Sequence, residues 1–370
     1  MRSSTSNFEL SPGAPAAVRN TAALQRRNLL IVAALLLLML VGWELQMRQL
    51  GLRPGDLDDG PDDWVHERRK VDAGPRDSIV IIGDSRMLFG TDLDAFERMA
   101  GRRPIQLALP AANPQPFLRD LAEDPHFAGL LVIGTAENSF FRRGGARQAA
   151  ALDYLPRQSP SQRAGHEIKK FLSGHLAFLD SNYTLFTLIE RRDWPDRPQV
   201  DSPYKEVWKL SESGPDRQTW LWDRLGRDPV LRDHARGIWS QVYKPTPVPQ
   251  DIVERVMDEA TADVAKIRAR GGEVVWIRPP SSGLILERER SRYPRAQVWD
   301  RLLRETGSWG WYFEDDPAMR ERTLPDWSHL ARADRVPFTE AYVRAMLERV
   351  EWLKQRTATG RQAAVGGPGS

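Results

Sequence analysis

The sequence predicts an α/β protein with a parallel sheet, a long helical insertion and an N-terminal transmembrane helix. Three observations lead to this prediction. Short apolar runs alternate with helical segments, about 110 residues interrupt that alternation, and an uncharged apolar stretch lies near the N-terminus. Strands and helices that alternate through short connections are typical of βαβ units. The 370 residues and 41% hydrophobic content suit one large folded domain or two modest ones.

The apolar stretch runs from Leu29 to Trp43, directly after Arg26 and Arg27, and a helix can extend from it to Leu50. Its uncharged part is shorter than the roughly 20 residues of a spanning helix, so a cleaved signal peptide is the alternative. No small-x-small cleavage site follows, which favours an uncleaved signal anchor over residues 29–50. The preceding arginines predict a cytoplasmic N-terminus and an extracytoplasmic remainder.

Composition divides the rest of the chain into segments. We predict the following ranges: a cytoplasmic disordered tail over 1–28, a turn-rich linker over 51–74, a first α/β part over 75–138, a mostly helical, Trp-rich insertion over 139–250, a second α/β part over 251–356, and a flexible tail over 357–370.

Five short apolar runs are strand candidates, because they are rich in β-branched or aromatic residues and end at Gly or polar residues. They cover residues 78–83, 105–109, 129–134, 274–277 and 312–313. Apolar residues at helical spacing predict helices over 91–99, 117–123, 251–270 and 338–353. The insertion is too long for a bare loop and should pack as a cap or lateral subdomain.

Charge and cysteine content exclude several classes of protein. The net charge of +3 comes from 53 basic and 50 acidic residues, and no recognition motif accompanies it, so no nucleic-acid partner is expected. The chain has no cysteine, which excludes disulfides, thiolate chemistry and cysteine-ligated metals.

A serine follows the first strand candidate in Gly83-Asp84-Ser85-Arg86. At such a turn a serine can expose its hydroxyl above the carboxyl edge of the sheet, as acyl transfer requires. The alternative is that Asp84 and Ser85 only cap the next helix. The sequence therefore predicts a nucleophile at Ser85 only if a base lies nearby.

Among six histidines, His329 is the best candidate for that base. It lies between the fifth strand candidate and the last helix, at the same edge of the sheet as Ser85. Asp326 precedes it by three residues, close enough to orient the imidazole. The alternative is an Asp and a His satisfied within a surface turn.

These blocks, Gly83-Asp84-Ser85 near the start and Asp326-Trp327-Ser328-His329 near the end, resemble the first and last blocks of the SGNH, or GDSL-type, hydrolases. The resemblance covers roughly residues 75–140 and 270–350. It implies a flavodoxin-like three-layer α/β/α sandwich with a five-stranded parallel sheet, no metal or other cofactor, and a catalytic triad of Ser85, Asp326 and His329.

The middle blocks depart from this family, which has a Gly after strand two and an Asn in a Gly-x-Asn-Asp segment after strand three. This chain has Leu109-Pro110-Ala111-Ala112-Asn113 and Gly134-Thr135-Ala136-Glu137-Asn138 instead. The oxyanion-hole candidates are Ser85, Ala111, Ala112, Asn113 and Asn138. Losing one donor typically costs about 100- to 1000-fold in rate.

Arg86 and Arg278 point toward the same rim and are candidate substrate-binding residues, since a guanidinium binds carboxylate, phosphate or polar glycan groups. Either could instead pair with Asp84, Glu137 or Glu287. Tryptophans of the insertion could stack on sugars, although such residues are more often core.

The sequence thus predicts a serine esterase or O-acyltransferase acting on O-acyl, in particular acetyl, groups of an envelope or exported glycan. An anchor followed by such a domain is similar to bacterial inner-membrane proteins whose periplasmic domains work beside membrane-bound O-acyltransferases. The expected partners are therefore an acylated glycan, the lipid bilayer and such an acyltransferase. The alternative is a catalytically silent glycan- or partner-binding module. A cytosolic nucleotide-binding protein is disfavoured, because no phosphate-binding glycine loop follows the first strand.

Overall fold

A computed structural model describes residues 15–57, 59–142, 144–190, 207–243 and 246–357. Seven strands are numbered in chain order: β1 Ile79–Ile82, β2 Ile105–Gln106, β3 Leu130–Gly134, β4 Ser211–Ser213, β5 Thr219–Leu221, β6 Glu273–Arg278 and β7 Trp309–Tyr312. Five of them form a parallel sheet in the order β2-β1-β3-β6-β7, while β4 and β5 form an antiparallel pair. The predicted α/β class and five-stranded parallel sheet are confirmed.

The described helices are the following: α1 Pro15–Gln49, α2 Pro61–Ala73, α3 Ser85–Gly90, α4 Leu93–Ala100, α5 Gln115–Glu123, α6 Glu137–Phe140, α7 Ala146–Tyr154, α8 Pro160–Ser173, α9 Leu185–Glu190, α10 Asp223–Arg227, α11 Pro229–Val242, α12 Gln250–Ala269, α13 Gly283–Arg292, α14 Trp299–Thr306, α15 Pro317–Arg320 and α16 Arg335–Arg349. Helix α12 packs against α5 and α14, whereas α16 packs against α3 and α4.

The central strands are continuous apolar runs because both of their faces are buried. Every residue of β1 and β3 is buried, and the two strands pair with Val80 opposite Leu131. Their carboxyl ends approach closely at Gly83 and Gly134. A Cβ at Gly83 would lie 2.7 Å from the Cβ of Met87, so this turn requires glycine.

Strand boundaries differ slightly from the predicted ones. Strand β2 ends at Gln106, but the chain stays beside β1, because Leu107 N–H donates to Ile81 O (2.7 Å) and Leu109 N–H donates to Gly83 O (3.0 Å). Strand β7 begins at Trp309, earlier than predicted. The continued pairing carries residues 110–113 to the edge of the sheet where Ser85 lies.

Residues 51–74 are not a linker throughout, which corrects the sequence prediction. Helix α2 begins with Pro61 at its first turn and buries Trp64, Val65 and Val71. The Trp64 indole stacks on Phe117 with ring centroids 4.9 Å apart and donates Nε1–H to Leu107 O (2.9 Å). The acidic residues that suggested a spacer lie before α2 and in its first turn, where Asp62 and Asp63 are partly buried.

In the parts of the insertion that the structure describes, helices predominate, and they are accompanied by the β4-β5 pair. Its buried side chains form a second apolar cluster that includes Ala177, Trp222 and Leu225, together with Met47 and Leu52 from the end of α1 and the residues after it. Lys209 is buried between Asp56 and Asp180, to both of which it donates hydrogen bonds. The insertion is therefore attached to the N-terminal helix as well as to the sheet domain.

Helix α1 starts at Pro15, so the predicted disordered tail over 1–28 is wrong from that residue onward. The alanines, leucines and arginines of this stretch favour a helix. The part over residues 23–49 is long and apolar enough to cross a membrane. Residues 1–14 and 358–370 of the predicted tails lie outside the described residues.

Candidate active site

Ser85 is the first residue of α3 at the carboxyl end of β1, and Asp84 caps this helix. Asp84 Oδ1 accepts Arg86 N–H (3.0 Å), and Asp84 Oδ2 accepts the hydroxyl of Ser139 (2.5 Å). Asp84 therefore caps α3, and the Ser85 side chain takes no part in the cap. The Ser85 hydroxyl points away from the cap and is partly exposed.

Ser85, His329 and Asp326 form a continuous hydrogen-bonded chain. Ser85 Oγ lies 2.8 Å from His329 Nε2, and His329 Nδ1 lies 2.6 Å from Asp326 Oδ2. The other Asp326 oxygen accepts the backbone N–H of His329 (2.8 Å) and of Ser328 (3.1 Å). The structure therefore brings together the three residues predicted as a triad, in the order nucleophile, base and orienting acid.

The surroundings of Asp326 favour its ionised form. Burial alone would raise the pKa of Asp326, but the charge of His329 and the hydrogen bonds that it and Trp239 donate outweigh burial and hold that pKa below its usual range. Trp239, on α11, donates Nε1–H to Asp326 Oδ2 (3.0 Å). Phe89 covers the imidazole, with ring centroids 4.8 Å apart. A buried carboxylate can thus stabilise an imidazolium formed at His329.

The loop that carries Asp326 and His329 is held by the turn after β6. Trp327 has a φ of 69°, unusual for a residue with a side chain, and its carbonyl accepts Ser282 N–H (2.9 Å). Ser282 Oγ in turn accepts Leu324 N–H (3.1 Å). Gly283 lies so close that a Cβ there would come within 2.6 Å of the Trp327 ring. The unusual conformation at Trp327 is therefore held by contacts on both sides.

Arg86 and Arg278 are both fully buried behind the triad and share one carboxylate. Glu289 accepts Arg86 Nη2–H at Oε1 (2.6 Å) and Arg278 Nη2–H at Oε2 (2.7 Å). Arg278 also donates Nε–H to Glu137 (2.8 Å), and Arg86 donates Nε–H to Ser328 Oγ (3.2 Å). The pairing of Arg278 with Glu137 agrees with one alternative from the sequence, while Glu289 takes the place of Asp84 or Glu287. Contact of either arginine with substrate stays a prediction.

The surroundings shift the pKa values of the two carboxylates of this cluster in opposite directions. Burial alone would raise the pKa of Glu289, but the charges of Arg86 and Arg278 lower it to about 2. Burial raises the pKa of Glu137, because its single guanidinium partner, Arg278, is shared with Glu289. Two guanidinium groups and two carboxylates thus lie buried together behind the Ser85 turn.

The segment after β2 supplies only part of the expected oxyanion donors. Ala111 is exposed and has a φ of 54°, the backbone conformation that glycine adopts most easily and at the position where the SGNH resemblance expects one. The N–H of Ala112 donates to Leu109 O (3.1 Å). The side-chain amide of Asn113 donates to Arg142 O (3.2 Å). The backbone N–H of Asn113 donates to Gln148 Oε1 (3.3 Å), so of these three residues only Ala111 keeps a backbone N–H without an acceptor among the described residues.

Asn138 lies on the short helix α6 after β3 and is half-buried. Its carbonyl oxygen accepts a long hydrogen bond from Arg292 Nη1 (3.4 Å), which leaves the amide group to donate elsewhere. The next residue, Ser139, bonds Asp84, so Asn138 lies beside the Ser85 turn. The Asn138 amide is thus left as a side-chain donor, whereas the Asn113 amide is committed to Arg142 O.

Sequence reasoning missed four residues that support the site: Ser139, Trp239, Tyr243 and Glu289. The Tyr243 hydroxyl lies 3.3 Å from Arg86 Nη2; Trp239 lies on α11, and Tyr243 is the residue directly after this helix. No local pattern marks these residues, because Ser139, Trp239 and Tyr243 come from the insertion and Glu289 is one of several charged residues of α13. Their signal is pairing between separate elements, as from Ser139 to Asp84 and from Glu289 to Arg86.

The tryptophans of the insertion have structural partners where they are described. Trp222 is buried in the second cluster, and Trp220 donates Nε1–H to Glu212 (2.8 Å) beneath the Arg332 guanidinium. Trp194 lies outside the described residues, as do the basic residues Arg143, Arg191 and Arg192. Stacking of a sugar on any of these rings stays a prediction.

One group within the described residues has the side chains of a metal site. His66 on α2 and His166 and Glu167 on α8 have ligand atoms within 4.8 Å of one another. The basic residues Arg69, Lys70 and Arg163 line the same depression, which disfavours a bound cation. None of these residues contacts the triad, and the expectation that the reaction needs no metal is untested.

A scan against protein-family models and a search of curated proteins find no match to this chain. The resemblance to SGNH hydrolases therefore rests on the motifs themselves and on the geometry described above.

Proposed function

We propose that the protein is an SGNH-type serine acyl-ester enzyme. The observation that carries the proposal is the hydrogen-bonded chain from Ser85 Oγ through His329 to Asp326, with distances of 2.8 Å and 2.6 Å. A half-exposed serine paired with a buried, oriented histidine is the arrangement that nucleophilic acyl transfer requires. An Asp and a His merely satisfied in a surface turn would have no reason to engage a serine 244 positions earlier in the chain.

In the proposed mechanism, Ser85 Oγ attacks the carbonyl carbon of an acyl ester while its proton moves to His329 Nε2. The tetrahedral oxyanion is stabilised by the N–H groups of Ser85 and Ala111 and by the Asn138 amide. The C–O bond to the leaving alcohol breaks, and His329 returns the proton to that alcohol. Water or a glycan hydroxyl then attacks the acyl-Ser85 carbonyl and gives its proton to His329, which regenerates Ser85 by the reverse transfer.

The flavodoxin-like three-layer sandwich is part of the proposal. The strand order corresponds to the 2-1-3-4-5 order of flavodoxin-like sheets, in which ligands bind at the carboxyl ends of the strands where the order reverses. Ser85, at the end of β1, lies at this reversal point. Two groups of mutually packed helices, α5 with α12 and α14, and α3 with α4 and α16, are consistent with one layer on each face.

We further propose that α1 anchors the domain on the outer side of the bacterial cytoplasmic membrane. The apolar part of the helix and the arginines before it support this orientation. An envelope or exported glycan bearing acyl groups, in particular acetyl, is the proposed substrate, and a membrane-bound O-acyltransferase is the proposed partner. Hydrolysis and transfer differ only in the acceptor, which these residues do not distinguish.

The second candidate is a catalytically silent SGNH-like module that binds a glycan or a partner in an export assembly. The observation that favours it is the commitment of the Ala112 N–H and the Asn113 amide to neighbouring carbonyls, which leaves the oxyanion side short of donors. A silent module would keep the triad geometry as an inherited feature of the fold.

The experiment that separates these functions is labelling of the full chain in detergent with a fluorophosphonate. We expect a covalent adduct on the wild type and on Ser161→Ala, an exposed serine of α8, and none on Ser85→Ala. The adduct should be accompanied by hydrolysis of 4-nitrophenyl acetate. If the folded wild type shows neither labelling nor hydrolysis, the enzyme is rejected in favour of the silent module.

A further inference from the structure

Two helices of the insertion expose large apolar side chains close to the end of α1. These residues form what we call the α8-α9 surface: Ile168, Phe171, Leu172, Leu185, Phe186 and Ile189. All six are more than 40% exposed, and Phe186 reaches 75%. Such a cluster on a water-facing surface indicates an interaction site.

The apolar stripe of α8 lies on the side opposite to the face that packs on the domain. His166 and Ser173, two turns apart, are the buried residues of this helix. Ile168, Phe171 and Leu172 follow the i, i+3, i+4 spacing of a single outward face. The helix thus has an amphipathic pattern whose apolar side is not used by the fold.

The α8-α9 surface is fixed at the level where the membrane-spanning part of α1 ends. Glu44 accepts the backbone N–H groups of Ala177 (3.1 Å) and Phe178 (3.0 Å), which lie between α8 and α9. Glu44 is three residues, or about 5 Å along the helix axis, beyond Val41, the last residue of the fully apolar run before Gly42 and Trp43. The end of α1 is also packed into the second apolar cluster through Met47.

Charge on α8 favours an anionic lipid surface over a neutral one. Arg163, Lys169 and Lys170 outnumber the single carboxylate, Glu167, on this helix. Basic residues beside an exposed apolar stripe are typical of helices that lie in the headgroup region of a bilayer. A lipid surface of this kind is recognised by exposed apolar and basic side chains and needs no shape complementarity.

We propose that the α8-α9 surface inserts into the outer headgroup layer of the membrane that α1 spans. The domain is then held by two contacts, α1 and this surface, and its orientation relative to the bilayer is restricted. The inference rests on the anchoring part of the proposed function and is independent of whether Ser85 is reactive.

The test uses the absence of cysteine, because any introduced cysteine is the single labelling site of the full chain. Phe186→Cys and Phe171→Cys report the α8-α9 surface, and Leu36→Cys reports the span of α1. Arg304→Cys is an exposed control on α14 at the β7 edge of the sheet. Each variant is labelled with an environment-sensitive fluorophore and reconstituted into phosphatidylcholine vesicles with or without phosphatidylglycerol and with spin-labelled lipids as quenchers.

We expect quenching at positions 171 and 186 by shallow spin labels to exceed that at position 304 by roughly twofold or more, and to increase with phosphatidylglycerol, as for side chains about 5–10 Å into the interface. Quenching at position 36 but not at positions 171 and 186 would overturn the inference while leaving the anchor intact. No quenching at position 36 would overturn both. Disulfide-linked dimers at position 186 without lipid quenching would assign the surface to a second copy of the chain and reject the membrane contact.

Discussion

Two sides of the Ser85-His329 pair differ in how many hydrogen bonds support them: the side that holds His329 and Asp326, called the base side, and the side where an oxyanion would form, called the oxyanion side. On the base side, His329 and Asp326 are buried and joined by hydrogen bonds from the backbone, from Trp239 and from the loop that contains Trp327. On the oxyanion side, donors are few, and Asn113 has turned its amide toward Arg142. The buried charge cluster of Arg86, Arg278, Glu137 and Glu289 adjoins both sides, through Ser328 beside His329 and through Glu137 beside Asn138.

In the proposed enzyme, correct placement of the nucleophile and its base would not by itself provide an equally complete site for the transition state. The base side depends on one loop and can be built from local hydrogen bonds. The oxyanion side must assemble turns from three separate strands, so any departure in one turn removes a donor. The following predictions test how far the two sides differ, from the largest expected effect to the smallest.

Removing the proton-transfer pair has the largest expected effect. Ser85→Ala and His329→Ala should each lower kcat/KM for 4-nitrophenyl acetate by about 10⁵-fold, because the members of a triad act as a unit. Asp326→Asn should lose less, about 10⁴-fold, since it keeps a hydrogen-bonding group while losing the charge. Steady-state kinetics of purified variants provide the measurement, with Ser161→Ala as the control. Wild-type-like rates in the first two variants would refute the assignment.

Glu289→Gln tests whether the charge cluster is the structural support of the oxyanion side. Removing this charge leaves two buried guanidinium groups short of a partner, and we expect a loss of about 3–5 kcal/mol in unfolding free energy at pH 7. The folded pKa of Glu289, about 2, lies below the usual value of a glutamate, so its contribution is complete above that usual value and declines as the pH falls toward 2.

The stability difference between wild type and Glu289→Gln should therefore shrink between pH 7 and pH 3. Thermal midpoints in detergent, measured at both pH values, provide the test. Glu287→Gln is the matched control on the same helix, α13, and should be near neutral. A difference that grows on acidification would show that Glu289 is protonated in the folded protein.

Asn138 and Asn113 form a matched pair on the oxyanion side. Because the Asn138 amide is left to donate to substrate while the Asn113 amide bonds Arg142 O, we expect Asn138→Ala to lower kcat about 100-fold and Asn113→Ala to lower it less than about tenfold. Burst kinetics on the nitrophenyl ester separate a slower chemical step from weaker binding. A larger loss of kcat in Asn113→Ala than in Asn138→Ala would assign the oxyanion donor to Asn113 instead.

Trp239→Phe removes one hydrogen bond to Asp326 and keeps the packing. We expect kcat to fall roughly tenfold with little change in KM, since a hydrogen bond to a charged group contributes about 1.5 kcal/mol. The acidic limb of the pH–rate profile should shift, because the environment of the Asp326-His329 pair changes. Trp220→Phe, which loses a bond to Glu212 instead, is the control. If the pH–rate profile of Trp239→Phe is unchanged, the contribution of Trp239 is limited to packing.

Ala111→Gly has the smallest expected effect and acts through the backbone. Glycine adopts the φ of 54° without strain, so we expect a gain of about 1 kcal/mol in unfolding free energy, equivalent to a rise of about 2–4 °C in Tm. Ala112→Gly, at a neighbouring buried position, should lower Tm instead. Differential scanning fluorimetry of both variants provides the comparison, and a lower Tm for Ala111→Gly would contradict the strain argument.

The amino-acid sequence by itself determined the features that depend on local pattern. Apolar β-branched runs predicted β1, β3 and β6, because a strand buried on both faces needs little else. The spacing of Asp326 and His329 within one loop, after a serine at a strand end, was enough to predict the three residues that the structure joins.

Only the tertiary structure decided the features that depend on long-range pairing. Residues 61–73, expected to be a linker, form a helix in the structure. The burial of Trp64 against Leu107 and Phe117 stabilises this helix, and the acidic residues around Trp64 do not predict that burial. The tertiary structure also placed Glu289 between Arg86 and Arg278 and Trp239 against Asp326. Each of these contacts joins segments whose separation along the chain carries no periodic signal, so the free energy of burial, and not local propensity, selects the partner.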